Sequence, residues 1–165
     1  MEAVQGKKLV YLYRVHRLAS NTDGAALAFT TENGRSASKD ADITKTKDGS
    51  IRTPSAAEIE VTATSILAKE DTLVDDLEDA MLAGELIDIW EANLEKPGSR
   101  EGTFKGTYYQ GYLTSFEQNS SAEDFVEVSM TFGINGTGAK GDVTVTTEQQ
   151  EIAQYVFADT KKTGA

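Results

Sequence analysis

The sequence predicts a mainly antiparallel β fold, a β-sandwich or flattened barrel with one α-helix, and three observations carry that prediction. Period-two apolar alternation recurs along the chain, turn signals separate the alternating runs, and one segment alone has helical spacing. The clearest run is Val126 to Ile134, where Val126, Val128, Met130, Phe132 and Ile134 alternate with Glu127, Ser129, Thr131 and Gly133. Period two puts the first set on a dry face and the second on a wet one. The preceding run, Thr107 to Glu117, is rich in Tyr, Leu, Thr and Phe, and the polar stretch QNSSAE joins the two as a hairpin.

From the N-terminus, Lys8 to Val15 is apolar on both faces, with Leu9, Tyr11, Tyr13 and Val15 on one and Val10 and Leu12 on the other. Such a strand is either central in a sandwich or covered by a partner. An Asn-Thr-Asp-Gly turn at 21–24 leads into a second short strand, Ala25 to Thr31. The pattern then changes: from Glu32 to Ser55 the chain is polar, and Ile43 and Ile51 are its only aliphatic residues larger than Ala. Lys47-Asp48-Gly49-Ser50 supplies a hairpin-type turn near the middle. Long structureless stretches usually have a job. This one reads as an extended loop or arm that orders against another subunit, with Lys39, Asp40, Asp42, Lys45, Lys47, Asp48 and Arg52 free to pair across the joint.

Ala57 to Leu67 is half wet, with Glu58, Glu60, Thr62 and Thr64 on one face and Ile59, Val61 and Ala63 on the other. Thr72 begins the helix, with Asp75 three residues on as a variant capping box, Leu73, Val74, Leu77, Ala80 and Met81 at helical spacing, and Gly84 as the C′ glycine. Asp75, Asp76, Glu78 and Asp79 fall mostly off that stripe and read as a solvated face. Glu85 to Ala92 returns to strand and EKPGSREG forms a Pro/Gly loop. Near the end, Asp142 to Thr146 reads as strand, Glu148 to Tyr155 as a short helix, and residues 160–165 as a frayed tail.

Length and composition fit a single domain over residues 1–165: 39% hydrophobic residues supply a core, and no run approaches a membrane span or a signal-peptide core. Cysteine is absent, which excludes disulfides and thiolate metal sites. A net charge of −11 argues against a nucleic-acid-binding protein, because gripping phosphates takes clustered Lys and Arg. Read from the residues alone, it is the charge of an ordinary soluble protein.

Several motifs invite an enzymatic reading and fail on context. Gly136 to Gly141 spells GxGxxG, yet strand-like Val143-Thr144-Val145 follows it where a pyrophosphate would need a helix N-terminus, so a glycine-rich hairpin connection is expected. Gly133 to Lys140 misses a P-loop by Ala139 and by the absent Ser or Thr after Lys140. Asp40, Asp42 and Thr44 resemble a calcium loop, but Lys45 stands where that loop needs glycine. His16, the only histidine, is flanked by Arg14 and Arg17 and reads as a surface or interface residue. No acid, base and nucleophile converge, and no cofactor or metal is expected.

The ordered wording TYYQGYLTSFEQNSSAEDFVEVSMTFGINGTGAKG (107–141), RSASKDADITKTKDGSIRTPSAAEIEVTATSILAKED (35–71), LVDDLEDAMLAGELIDIWE (73–91) and QYVF (154–157) resembles the major tail protein family of long, non-contractile-tailed bacteriophages, the branch typified by lactococcal siphophages. The resemblance spans most of the chain. It implies a virion tail-tube subunit, made in the bacterial host cytoplasm and stacked as hexameric rings around a DNA conduit. It also implies tape-measure, tail-terminator and tail-tip protein partners. On that expectation the charged residues of the arm bridge rings, and Glu58, Glu60, Thr62, Thr64, Glu127, Ser129 and Thr131 are candidates to face the lumen. The alternative is a monomeric acidic β-sandwich that binds or decorates a virion.

Overall fold

The computed structural model describes residues 2–69 and 72–147, and within them the alternating runs become the strands of one antiparallel sheet. In chain order these are β1 (Leu9–Val15), β2 (Thr30–Thr46), β3 (Gly49–Ile66), α1 (Thr72–Ala83), β4 (Ile87–Pro97), β5 (Thr103–Asn119) and β6 (Glu127–Thr144). Their order across the sheet is β1-β4-β5-β6-β3-β2. The mainly antiparallel architecture with one helix is as expected. The strands form one unclosed sheet, curled so that edge strand β2 approaches β1 and β4 through side chains: Tyr13 Oη donates to Asn33 Oδ1 at 3.2 Å, and Arg35 Nε donates to Glu91 Oε2 at 2.8 Å.

The dry positions of the alternating strands fill the concavity. Tyr13, Ile89, Val61, Val128, Met130 and Phe132 are buried there, with Tyr13 stacked on Phe132 at 5.2 Å between ring centroids. Helix α1 closes the open side with Val74, Leu77 and Ala80, as its spacing predicts, and keeps Asp75, Asp76 and Asp79 exposed. Thr72 is its first helical residue, so the capping position falls on 71, outside the described residues. Gly84 follows with φ +71°, the left-handed conformation glycine adopts without cost.

Strand β1 corrects one expectation. It lies at a sheet edge rather than in the centre, and it is covered from within its own chain. Val10 and Leu12 pack with Ala92, Val143 and Val145 in a second apolar cluster, while Ala25 bridges Tyr13 through two backbone hydrogen bonds of 2.8 and 3.0 Å. The short strand expected at Ala25 to Thr31 reduces to that bridge, with β2 starting at Thr30. Strand β4 runs beyond Ala92 to Pro97. The glycine-rich segment is also corrected: it is a bulge inside β6, not a connection. Pairing jumps from Tyr108↔Ala139 to Gln110↔Asn135, and Gly136 and Gly138 take φ of +68° and +81° in the extra residues. A Cβ at Gly138 would lie 2.6 Å from the Tyr109 ring. The helix expected at Glu148 to Tyr155, the QYVF run and the 160–165 tail lie outside the described residues.

The largest difference is at 32–55, where a polar stretch read as a loop or arm forms most of a long β2–β3 hairpin. The two strands pair from Thr30↔Ser65 to Thr46↔Gly49, turning through Lys47 and Asp48 with Gly49 at φ +134°. Thr46 Oγ1 donates to Gly49 O at 2.8 Å and fastens the turn. Strand β3 pairs with β6 only between Glu60 and Ile66. Beyond Glu60 the hairpin therefore leaves the sheet and projects about ten residues, roughly 33 Å at strand spacing.

Candidate functional site: the polar sheet face and the arm

The predicted wet residues come from two separate alternating runs, and the register decides whether they meet. They do. Thr62 lies opposite Thr131, Thr64 opposite Ser129, and Glu60 opposite Gly133. The same rows continue outward on β2, with Glu32 opposite Thr64, Ser36 opposite Glu60 and Ser38 opposite Glu58. On β5, Glu117 faces Ser129, Ser115 faces Thr131 and Asn119 faces Glu127. Directly opposed residues share a face. Four strands thus present one polar surface whose carboxylates are Glu32, Glu58, Glu60, Glu117 and Glu127, with no Lys or Arg in these rows among the described residues.

Burial agrees with the alternation. Glu58, Glu60, Thr62 and Glu127 are exposed and Thr64, Ser129 and Thr131 half-buried, while their neighbours Val61, Val128 and Phe132 are fully covered from the other side. Glu32, Ser115 and Glu117 were not among the candidates. Their own runs lack strict alternation, and only cross-strand register assigns them to the face. A nearby signal existed in the Tyr- and Thr-rich strand, but no local pattern says which β5 residue opposes which β6 residue.

The arm candidates occupy the projecting hairpin. Lys39 opposes Ala57, Asp42 opposes Thr53, Lys45 opposes Ser50, and Arg52 opposes Ile43, with Lys47 and Asp48 forming the turn. Asp40 sits in the bulge between Lys39 and Ala41. Lys39, Lys45, Lys47, Asp48 and Arg52 are exposed, and so are Ile43 and Ile51, each more than half accessible. The base of the arm is fixed to the body. Arg35 bridges to Glu91, and Tyr11 Oη donates to the same carboxylate at 2.5 Å, so burial first and that hydrogen bond second push the Tyr11 hydroxyl far above the ordinary tyrosine range.

A buried charge cluster escaped the sequence reading. Asp88 is fully buried and lies 2.9 Å from Arg14 Nη2 and 2.8 Å from His16 Nδ1, and Tyr108 Oη donates to it at 2.5 Å. Burial and that hydrogen bond raise the Tyr108 pKa. Arg14 also sits 4.8 Å over the Trp90 ring. This cluster ties β1, β4 and β5 together and gives the lone histidine, itself about half exposed, a structural partner. A polar residue in an otherwise apolar strand carries no mark of its partners.

The comparisons agree with this geometry. The model of the phage tail tube protein family matches residues 3–140. The chain is 30% identical over 161 residues to the "Putative tail protein" of Staphylococcus phage phiMR25, covering 94% of this chain and 82% of that one. Its fold resembles that of the SPP1 tail tube, with a TM-score of 0.76 at 20% identity over 91% of this chain and 85% of the other. It also resembles the tail of an empty gene transfer agent particle refined with C6 symmetry, at a TM-score of 0.63 and 12% identity, covering 83% and 98%. A match over most of its length, met by a fold with an unclosed polar sheet and a projecting hairpin, places this chain in the phage tail tube protein family.

Proposed function

We propose that the protein is the structural subunit of a non-contractile phage tail tube, assembling in the host cytoplasm as stacked hexameric rings around the path of the genome. The observation that supports this most is the four-stranded face with five carboxylates and no cation in its rows. Turned toward the bore, such a face repels the phosphate backbone and lets DNA slide. Glu58, Glu60, Thr62, Thr64, Glu127, Ser129 and Thr131 then line the lumen, joined by Glu32 and Glu117. The role is structural, with no catalytic step.

The sheet also offers a route to ring closure. Strand β2 is an edge over its full length, and β5 beyond Gly111 has a strand neighbour on one side only, because its pairing with β4 ends there. These two stretches bound the polar face on opposite sides. Pairing one with the other on the next copy is a head-to-tail contact that closes when the rotation completes a circle. The arm then lies free to reach the neighbouring ring. In this reading tape-measure, terminator and tip proteins set where the stack begins and ends.

The test is a tube built from the double variant Glu58→Lys, Glu60→Lys, which leaves the Glu127 end of the sheet unchanged. Rings and tubes form as in wild type, DNA ejection slows, and the delay shrinks as salt rises because the new contacts are ionic. Ejection kinetics equal to wild type would remove these residues from the lumen.

A further inference from the structure

The arm tip and the opposite end of the sheet carry complementary chemistry. Beyond the paired stretch, the tip exposes Ile43 and Ile51, which project to opposite sides of the hairpin because Ile43 opposes Arg52 and Ile51 opposes Thr44. From Ile43 to Arg52 the tip carries Lys45, Lys47 and Arg52, three basic residues against Asp48, with Asp42 just before it in the chain. At the far end of the same strands, the β5–β6 loop and the last residue of β3 form an open cleft of about 500 Å³, lined by Ile66, Asn119, Ser121, Asp124, Phe125 and Glu127. Phe125 is 79% exposed there, the most accessible large apolar side chain among the described residues. Phe29, also exposed, holds φ at +49° and accepts the N–H of the lining residue Ile66 at 3.1 Å through its carbonyl. Positive φ is costly for a bulky non-glycine residue. Glu123, Asp124 and Glu127 make this end anionic.

Resting on the tail-tube reading, we propose that the cleft around Phe125 is the receptor for the arm tip of a second copy of this chain. Ile43 or Ile51 would cover Phe125 and Ile66, and Lys45, Lys47 and Arg52 would face Asp124 and Glu127. Both ends lie on one strand axis, separated by roughly 50 Å of strand from Ile51 to Ile66. Translation along that axis brings one tip onto the next cleft. The contact is heterologous and does not close on itself, so every ring keeps a free tip on one side and a free cleft on the other. Growth then has a direction, and the ends of the stack differ chemically.

The chain has no cysteine, which makes the test clean. Ile43→Cys and Ile51→Cys are each mixed with Phe125→Cys, assembled into tubes and mildly oxidised, and the mixture holding the docked isoleucine is the one that cross-links. The expected product is a covalent dimer joining one variant to the other, since a disulfide needs Cα atoms within about 7 Å and no single chain can bring these two positions together. Dimers joining like to like, or no cross-link in intact tubes, would overturn the proposal. An intrachain bridge between Phe125→Cys and a cysteine placed at Phe157 would do the same by giving the cleft to the chain's own C-terminal segment. If the cysteine variants do not assemble, a charge exchange decides. Lys45→Glu with Lys47→Glu should raise the concentration needed for elongation about tenfold, equivalent to ~1.4 kcal/mol. Adding Asp124→Lys with Glu127→Lys should recover most of the loss, and failure to recover it would overturn the proposal. Absence of rings and tubes from the wild-type protein would defeat the tail-tube reading itself, whereas intact tubes without the cross-link defeat only this contact.

Discussion

The body and the arm are built from the same two strands, yet different forces hold them. In the body, β3 alternates Ile59, Val61 and Ala63 inward, and each meets α1 or a neighbouring strand. Nearer the tip, the described side chains of Ile43, Lys45, Ile51 and Arg52 are exposed rather than buried, and the hairpin is paired along its backbone ladder and fastened at its turn. A two-stranded ribbon is marginal in water. The body therefore folds for its own stability, and on the proposed tail-tube reading the arm contributes through a neighbouring copy. That reading makes stability and assembly separable properties of one β-hairpin.

Ranked by effect on subunit melting, three substitutions and one deletion test that separation. Phe132→Ala removes the ring stacked on Tyr13 at the centre of the core and should cost about 3 to 5 kcal/mol, seen as a lower urea midpoint with an unchanged slope. A loss under about 1 kcal/mol would mean that the concavity repacks freely and the body is less specified than the burial suggests.

Next comes Asp88→Ala, which strips Arg14, His16 and Tyr108 of their shared acceptor. Breaking a buried pair by removing one partner should cost about 3 kcal/mol, roughly 6 to 12 °C in Tm for a chain of this size. A calorimetric shift below about 2 °C would show the cluster to be hydrated and unimportant to the body.

Asp142→Asn should have a smaller, pH-dependent effect at the rim of the body. Hydrogen bonds from the Ser99 side chain and backbone N–H, and then Lys105, hold this carboxyl well below its ordinary value of 3.8. A depressed pKa in the folded state gives stability that is complete above the unfolded value and fades as pH falls through the folded one. The Tm difference between wild type and Asp142→Asn should therefore be steady at neutral pH and shrink below about pH 4. A difference that grew on acidification would contradict the assigned contacts.

The smallest effect on melting should come from the most drastic change. Deleting Asp40 to Arg52 and closing the gap with an Asn-Gly turn removes exposed hairpin and should leave Tm within about 3 °C of wild type. Elongation into tubes, followed by light scattering and negative-stain microscopy, should be lost. Tubes of normal length and salt resistance from this variant would make the arm decoration, and a large fall in Tm would make it part of the body.

By itself the sequence determined which stretches are strands with a buried side, where the helix begins and ends, and which residues of β3 and β6 are wet, because period and capping are local consequences of side-chain chemistry. Thr72 to Ala83 and the Val126 to Ile134 alternation could be read without any neighbour. Tertiary structure alone decided that Thr62 meets Thr131, that Glu32 and Glu117 join the same face, and that Asp88 gathers Arg14, His16 and Tyr108. Register and buried pairing are agreements between distant segments, and no single segment encodes them. The arm lies between these cases. Its turn was legible in Lys47-Asp48-Gly49-Ser50, but its strands were not, because apolar alternation reports a face buried within the subunit, and a hairpin that projects into solvent has none.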